Sequence, residues 1–139
     1  MSWDVLIFKY DGPPAEIQKL SADFVSPTLG DAAEVRERIS EVFPATDWSD
    51  PALGSVMEAG YSIEFSLQND GPVRQFALHV RGGGDPVVRI CALCHRHGWL
   101  AFDTSAGTLL DVEKPSRSGW HSWQRFCKGV VHPPEPCEE

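Results

Sequence analysis

The sequence predicts an α+β fold: a mostly antiparallel sheet of about five strands with two or three helices packed on one side. Three observations carry this expectation. Residues 61–68 and 73–81 alternate apolar and polar side chains with the period of two that a half-buried strand requires. Residues 31–43 and 87–98 repeat apolar side chains at intervals of three and four, as one face of a helix does. The resulting order, β-α-β-β-α-β-β-α, suits an antiparallel sheet with its helices gathered on one face and the other face open.

Residues 3–10 (WDVLIFKY) are strand formers with apolar side chains of both parities, the pattern of a central strand covered over part of both faces. Asp11-Gly12-Pro13-Pro14 breaks it, and the stretch to Gly30 reads either as irregular or as carrying one short helix near 15–20. Asp31 is an N-cap with Glu34 three residues on; Val35, Ile39, Val42 and Phe43 form the apolar stripe that follows, and Pro44 ends it. After a loop at 45–54, Tyr61, Ile63, Phe65 and Leu67 face one way and Ser62, Glu64, Ser66 and Gln68 the other. Asn69-Asp70-Gly71-Pro72 turns the chain, and Phe76, Leu78 and Val80 then alternate with Gln75, Ala77, His79 and Arg81, so the two strands form a hairpin.

Gly82-Gly83-Gly84 leads into the second helix, with Asp85 as N-cap, Pro86 in the first turn and Gly98 just past the end. Residues 99–103 and 108–112 flank a Ser105-Ala106-Gly107 turn as a second hairpin. A last helix, capped by Ser116 or Ser118, carries Trp120, Trp123 and Cys127 at helical spacing. One domain over 1–128 is expected, followed by an acidic, disordered tail at 129–139.

With 139 residues, 42% of them hydrophobic, the chain can bury a core without metal or disulfide staples. Its apolar runs are far shorter than the roughly 20 residues that span a bilayer, and Met1 is followed by Ser2-Trp3-Asp4 rather than a basic leader, so a cytoplasmic protein with free thiols is expected. A net charge of −8 argues against nucleic acid, whose binders display basic stripes, and favours basic protein partners; the plain alternative is a charge that keeps the chain in solution.

Four motifs could carry chemistry. The glycine run could cradle an anion beside Arg81, but it lacks the spacing of a P-loop or a dinucleotide turn, and Asp85 would occupy the helix amides and repel phosphate. Cys91-Ala92-Leu93-Cys94-His95 matches a haem-attachment string and, with His97, offers zinc ligands; yet Val87, Ile90, Cys91 and Cys94 fall on one helical stripe, which makes the thiols core residues. No cofactor or metal is therefore assigned. His79 could form an acid–base pair with Glu64, Asp103 or Asp111, although no spacing selects one and no catalytic residue is assigned. Asp47, Trp48 and Asp50 could anchor a basic partner, or form an Asx turn with Trp48 plugging the core edge.

The strings MSWDVLIFKYDGPP, FPATDWSDP, GYSIEF and FALHVRGGGDPV resemble a family of small, uncharacterised bacterial proteins over about residues 1–112. In size, acidity and lack of a leader such proteins are similar to the immunity proteins of type VI or contact-dependent toxin systems. The resemblance implies a cytoplasmic immunity protein, not an enzyme, that occludes a cognate toxin domain, with a basic nuclease as the candidate class. Candidate partner-binding residues are Glu64, Ser66, His79, Arg81, Asp47, Trp48 and Asp50. The alternatives are a small enzyme or ligand-binding domain using His79, Arg81 and the glycine turn, and a self-associating homodimer; no membrane partner is expected.

Overall fold

The computed structural model describes residues 2–10, 27–111 and 114–131, with side chains through Arg125. The short helix expected near 15–20 and the last eight residues lie outside the described residues.

In chain order the elements are β1 (Trp3–Phe8), β2 (Gly30–Asp31), α1 (Ala32–Val42), β3 (Asp47–Asp50), β4 (Leu53–Glu58), β5 (Tyr61–Ser66), β6 (Pro72–Val73), β7 (Phe76–Gly82), α2 (Val87–His97), β8 (Leu100–Asp103), β9 (Thr108–Leu109) and α3 (Ser118–Val131). Seven strands form one sheet in the order β3-β4-β5-β7-β1-β8-β9, every neighbouring pair antiparallel. The α+β class and the antiparallel sheet are as the sequence predicts, but the strand count exceeds the five expected.

The additional strands have identifiable causes. The expected loop at 45–54 contains β3 and the start of β4. On β4 only Gly54 and Val56 turn inward, so the strand carries little apolar signal of its own. The expected strand at 73–81 is two elements: Pro72–Val73 pairs with Gly30–Asp31 in a separate ribbon, and the main sheet resumes at Phe76.

Alternation places Trp3, Val5, Ile7, Ile63, Phe65, Leu78 and Val80 on one sheet face, all fully buried. Val35 and Ile39 of α1, Val87, Ile90, Cys91, Leu93 and Cys94 of α2, and Trp120 of α3 complete this core. Each such aliphatic or aromatic side chain contributes about 1.5–3 kcal/mol when removed from water. Asp31 begins α1 as read from the sequence, and Glu34 Oε1 accepts its backbone N–H at 3.0 Å. Gly98 ends α2 in the left-handed conformation, with φ of 71°.

One cap differs from expectation. Pro86, not Asp85, is the N-cap of α2, and the Asp85 carboxylate instead accepts from Arg117 Nε at 2.6 Å, tying the start of α2 to the approach to α3. On the opposite sheet face Asp4, Leu6, Ser62, Glu64, Ser66, Ala77, His79 and Phe102 are half-buried, while Phe8 of the same parity is buried. β1 is thus the central, partly two-sided strand that its apolar pattern implies.

Candidate functional site

The open face is organised by strand register. His79 on β7 stands between Asp4 on β1 and Glu64 on β5, and Ser66 and Arg81 flank it one step along the strands, opposite Ala77 and Ser62. The sheet therefore gathers four of the predicted residues, Glu64, Ser66, His79 and Arg81, from two strands onto one rigid surface.

Their charges are internally paired. His79 Nδ1 lies 2.9 Å from Asp4 Oδ1, and Arg81 Nη1 donates to Glu64 Oε1 at 2.9 Å. Ser2 Oγ also donates to Asp4 Oδ1. Partial burial acts to raise the Asp4 pKa, but the Ser2 hydroxyl, His79 and Arg81 outweigh it and hold this carboxyl below the ordinary value of 3.8. An ionised Asp4 can only accept, so His79 donates its Nδ1–H to it, which leaves Nε2 as the ring nitrogen turned away from the pair. That is the base-and-orienter half of an acid–base site, yet Nε2 has no hydrogen-bond partner among the described residues.

Asp47, Trp48 and Asp50 lie elsewhere, on the edge strand β3. Asp47 accepts from the Ser49 backbone N–H at 2.8 Å and from Ser49 Oγ at 2.6 Å, and Ser49's hydroxyl and then its amide lower the Asp47 pKa. Asp50 accepts from the Ala52 amide at 3.0 Å, so both carboxylates shape local turns. Trp48 packs 6.2 Å from the Phe65 ring and donates Nε1–H to Ser40 Oγ at 3.0 Å, plugging the edge of the core. The seven predicted partner-binding residues thus form two separate groups.

The glycine turn serves packing. Gly83 N–H donates to the Gly60 carbonyl at 2.6 Å, and a Cβ on Gly82 would stand 2.6 Å from that same oxygen. The carbonyls of Gly84 and Gly82 accept from Trp120 Nε1 at 3.1 Å and Gln124 Nε2 at 3.2 Å, locking the turn to α3. Gly82 at φ 100° and Gly84 at φ 67° adopt conformations that other residues resist. Cys91 and Cys94 are buried in the core stripe of α2 as the periodicity predicts, and no group of three or more metal-ligating side chains occurs among the described residues.

A feature that sequence reasoning missed lies at one end of the sheet. A cleft of about 620 Å³ opens between the start of β1, the β8–β9 turn and the first turns of α3; Ser2, Asp4, Thr104, Ser118, Ser122 and Trp123 are among its walls. Small hydroxyl residues from three distant segments carry no spacing signal, so only the fold brings them together.

No protein-family model, curated protein or solved structure matches the chain. Among the described residues no helix is long and apolar enough to cross a membrane.

Proposed function

We propose that this is a cytoplasmic immunity protein that binds a basic toxin domain through the open sheet face and occludes it. The observation that carries the reading is that face itself: Glu64, Ser66, His79 and Arg81 sit on adjacent central strands of a hydrogen-bonded sheet, where binding costs little ordering entropy. Next to them on β4, Met57 is 76% and Leu53 39% exposed, an apolar rim of the kind that interfaces cover. The net charge of −8 complements a basic enzyme and speeds encounter with it.

Co-expression with the toxin encoded by the neighbouring gene tests the proposal. A stable complex and protection of the host are expected, with Met57→Glu combined with Glu64→Lys weakening the complex at least about tenfold. Absence of both complex and protection overturns it. Solution mass measurement of the free protein distinguishes a self-associating module, in which the same double variant would dissociate a homodimer.

The Asp4–His79 pair favours a second reading, a small enzyme or ligand-binding domain centred on His79 and Arg81. A metabolite thermal-shift screen then yields a stabilising compound whose effect disappears in His79→Ala or Arg81→Ala; a screen with no such compound rejects it.

A further inference from the structure

The cleft beside α3 has a definite electrostatic character. Among the described residues its walls include the carboxylate of Asp4 and no cationic side chain, and Arg125 reaches it only by donating Nη2–H to Ser122 Oγ at 3.3 Å. Asp4 Oδ1 receives both Ser2 and His79, while Oδ2 receives no hydrogen bond among the described residues. Thr104 Oγ1 spends its proton on the Asp4 carbonyl at 2.9 Å, and Ser105 Oγ spends its own on Asp103 Oδ1 at 2.8 Å. With these protons committed inward, the hydroxyl oxygens of Ser2, Thr104 and Ser105 are left as acceptors.

The remaining wall is aromatic. Trp123 stacks on Trp120 with ring centroids 5.4 Å apart and planes 11° from parallel, so the indole is braced from one side. The positive end of α3 does not attract an anion here, because the buried Asp103 carboxylate already stands against Gly119 in its first turn. An acceptor-rich wall, a carboxylate and an indole together select a ligand that is donor-rich and positively charged. Charge-assisted hydrogen bonds are roughly twice as strong as neutral ones, and an aromatic face attracts a cation further, which places such a ligand ahead of a neutral polyol.

We propose that this cleft is a binding site for an organic cation, a guanidinium or ammonium group, borne on a basic side chain of a partner or on a free polyamine. The cleft adjoins the Glu64–Arg81 surface through Asp4, which pairs with His79, but neither Glu64 nor Met57 is among its described walls, so Met57→Glu with Glu64→Lys tests toxin binding while Ser122→Arg tests the cleft.

Titration with arginine amide and with spermidine, followed by the NMR shift of the Trp123 indole N–H, tests it. Saturable shifts with dissociation constants near about 1 mM are expected, weakening as salt screens the charge, while glycerol gives none. Asp4→Asn should weaken binding at least about tenfold, the loss of the anionic group among the described walls. Ser122→Arg, which supplies a cation from the chain itself, should abolish it without touching Asp4. Comparable affinities for the two probes identify a side-chain-sized cation; a preference of about tenfold or more for spermidine identifies a free polyamine. Absence of a saturable shift at ten times the expected constant, or equal shifts in wild type and both variants, overturns the proposal.

Discussion

The carboxylate of Asp103 stands where a side chain on Gly119 would have to go: a Cβ on the glycine would overlap Oδ2. Asp103 is 1% exposed, and its other oxygen accepts from Ser105 N at 3.0 Å, Ser105 Oγ at 2.8 Å and Ala106 N at 3.1 Å. Those bonds pin the carboxylate, so it cannot swing aside. Gly119→Ala should therefore destabilise by about 1–3 kcal/mol, although alanine is favoured over glycine in a helix by about 1 kcal/mol. Asp103→Ala, which strands three donors, should cost about 2–4 kcal/mol, and Asp103→Asn less because one acceptor oxygen survives. Urea denaturation measures all three; a Gly119→Ala protein as stable as wild type would refute the packing argument.

Trp48 and Gly54 make the equivalent contact at the other end of the sheet. A Cβ on Gly54 would meet Trp48 Cζ3 at 2.5 Å, closer than carbon atoms approach. Gly54→Ala should displace the indole, break its bond to Ser40 and cost about 1–3 kcal/mol. Trp48→Leu removes the obstructing ring atoms, so Gly54→Ala should cost less in that background, and a double-mutant cycle reads the coupling directly. Additive costs would mean that the indole does not hold its position against the glycine.

What was legible in the sequence follows from how local each cause is. α1 could be read because Asp31, Glu34 and the stripe at Val35 and Ile39 lie within a few turns of one another. β5 and β7 could be read because each carries its own period of two. β4 could not, because the bulk over Gly54 is supplied by Trp48 from a neighbouring strand. Asp85 looks like a cap in the string Gly-Asp-Pro, but Arg117, 32 positions away, takes its carboxylate.

The open face was legible in part. Alternation assigned Glu64, Ser66, His79 and Arg81 to one side, which register then brings together. The partner of His79 was not, since Asp4 is 75 positions distant and nothing in WDVLIF distinguishes it from an ordinary exposed strand residue. The cleft was the least legible, being assembled from Ser2, Thr104 and Ser118, whose residue type is common on any surface.

The two described cysteines should be chemically quiet. Burial, then the charges of Asp111 and Asp85, push the Cys91 thiol up to about 11; burial, then Cys91, push Cys94 further still. Since the thiolate is the nucleophile, Cys91 in the native protein at about pH 8 should alkylate roughly a hundredfold more slowly than an ordinary thiol, and Cys94 more slowly again. Peptide mass spectrometry after iodoacetamide treatment resolves each site. In denaturant both should label freely; native labelling at the denatured rate would contradict their place in the core.

Acid sensitivity should arise first at His97. Its side chain is 12% exposed, its ring lies 4.9 Å from that of Trp99, and its buried Nε2 has no hydrogen-bond partner among the described residues, with Glu41 Oε1 at 3.5 Å. Burial lowers its pKa below the ordinary 6.5; Glu41 opposes this, and Arg38 and Arg96 reinforce it. The unfolded chain consequently takes up the proton before the native protein does, so this contribution is neutral above pH 6.5 and destabilising as pH falls below it, until the native imidazole also protonates. Asp4, held below 3.8, adds a separate loss only at lower pH, where its carboxylate protonates. His97→Phe keeps a ring against Trp99 and removes the titrating nitrogen. Urea midpoints taken across this range should fall with acidification in wild type from about pH 6.5 and stay flatter in His97→Phe, the two profiles converging in slope near neutrality; parallel profiles would assign the acid response to another group.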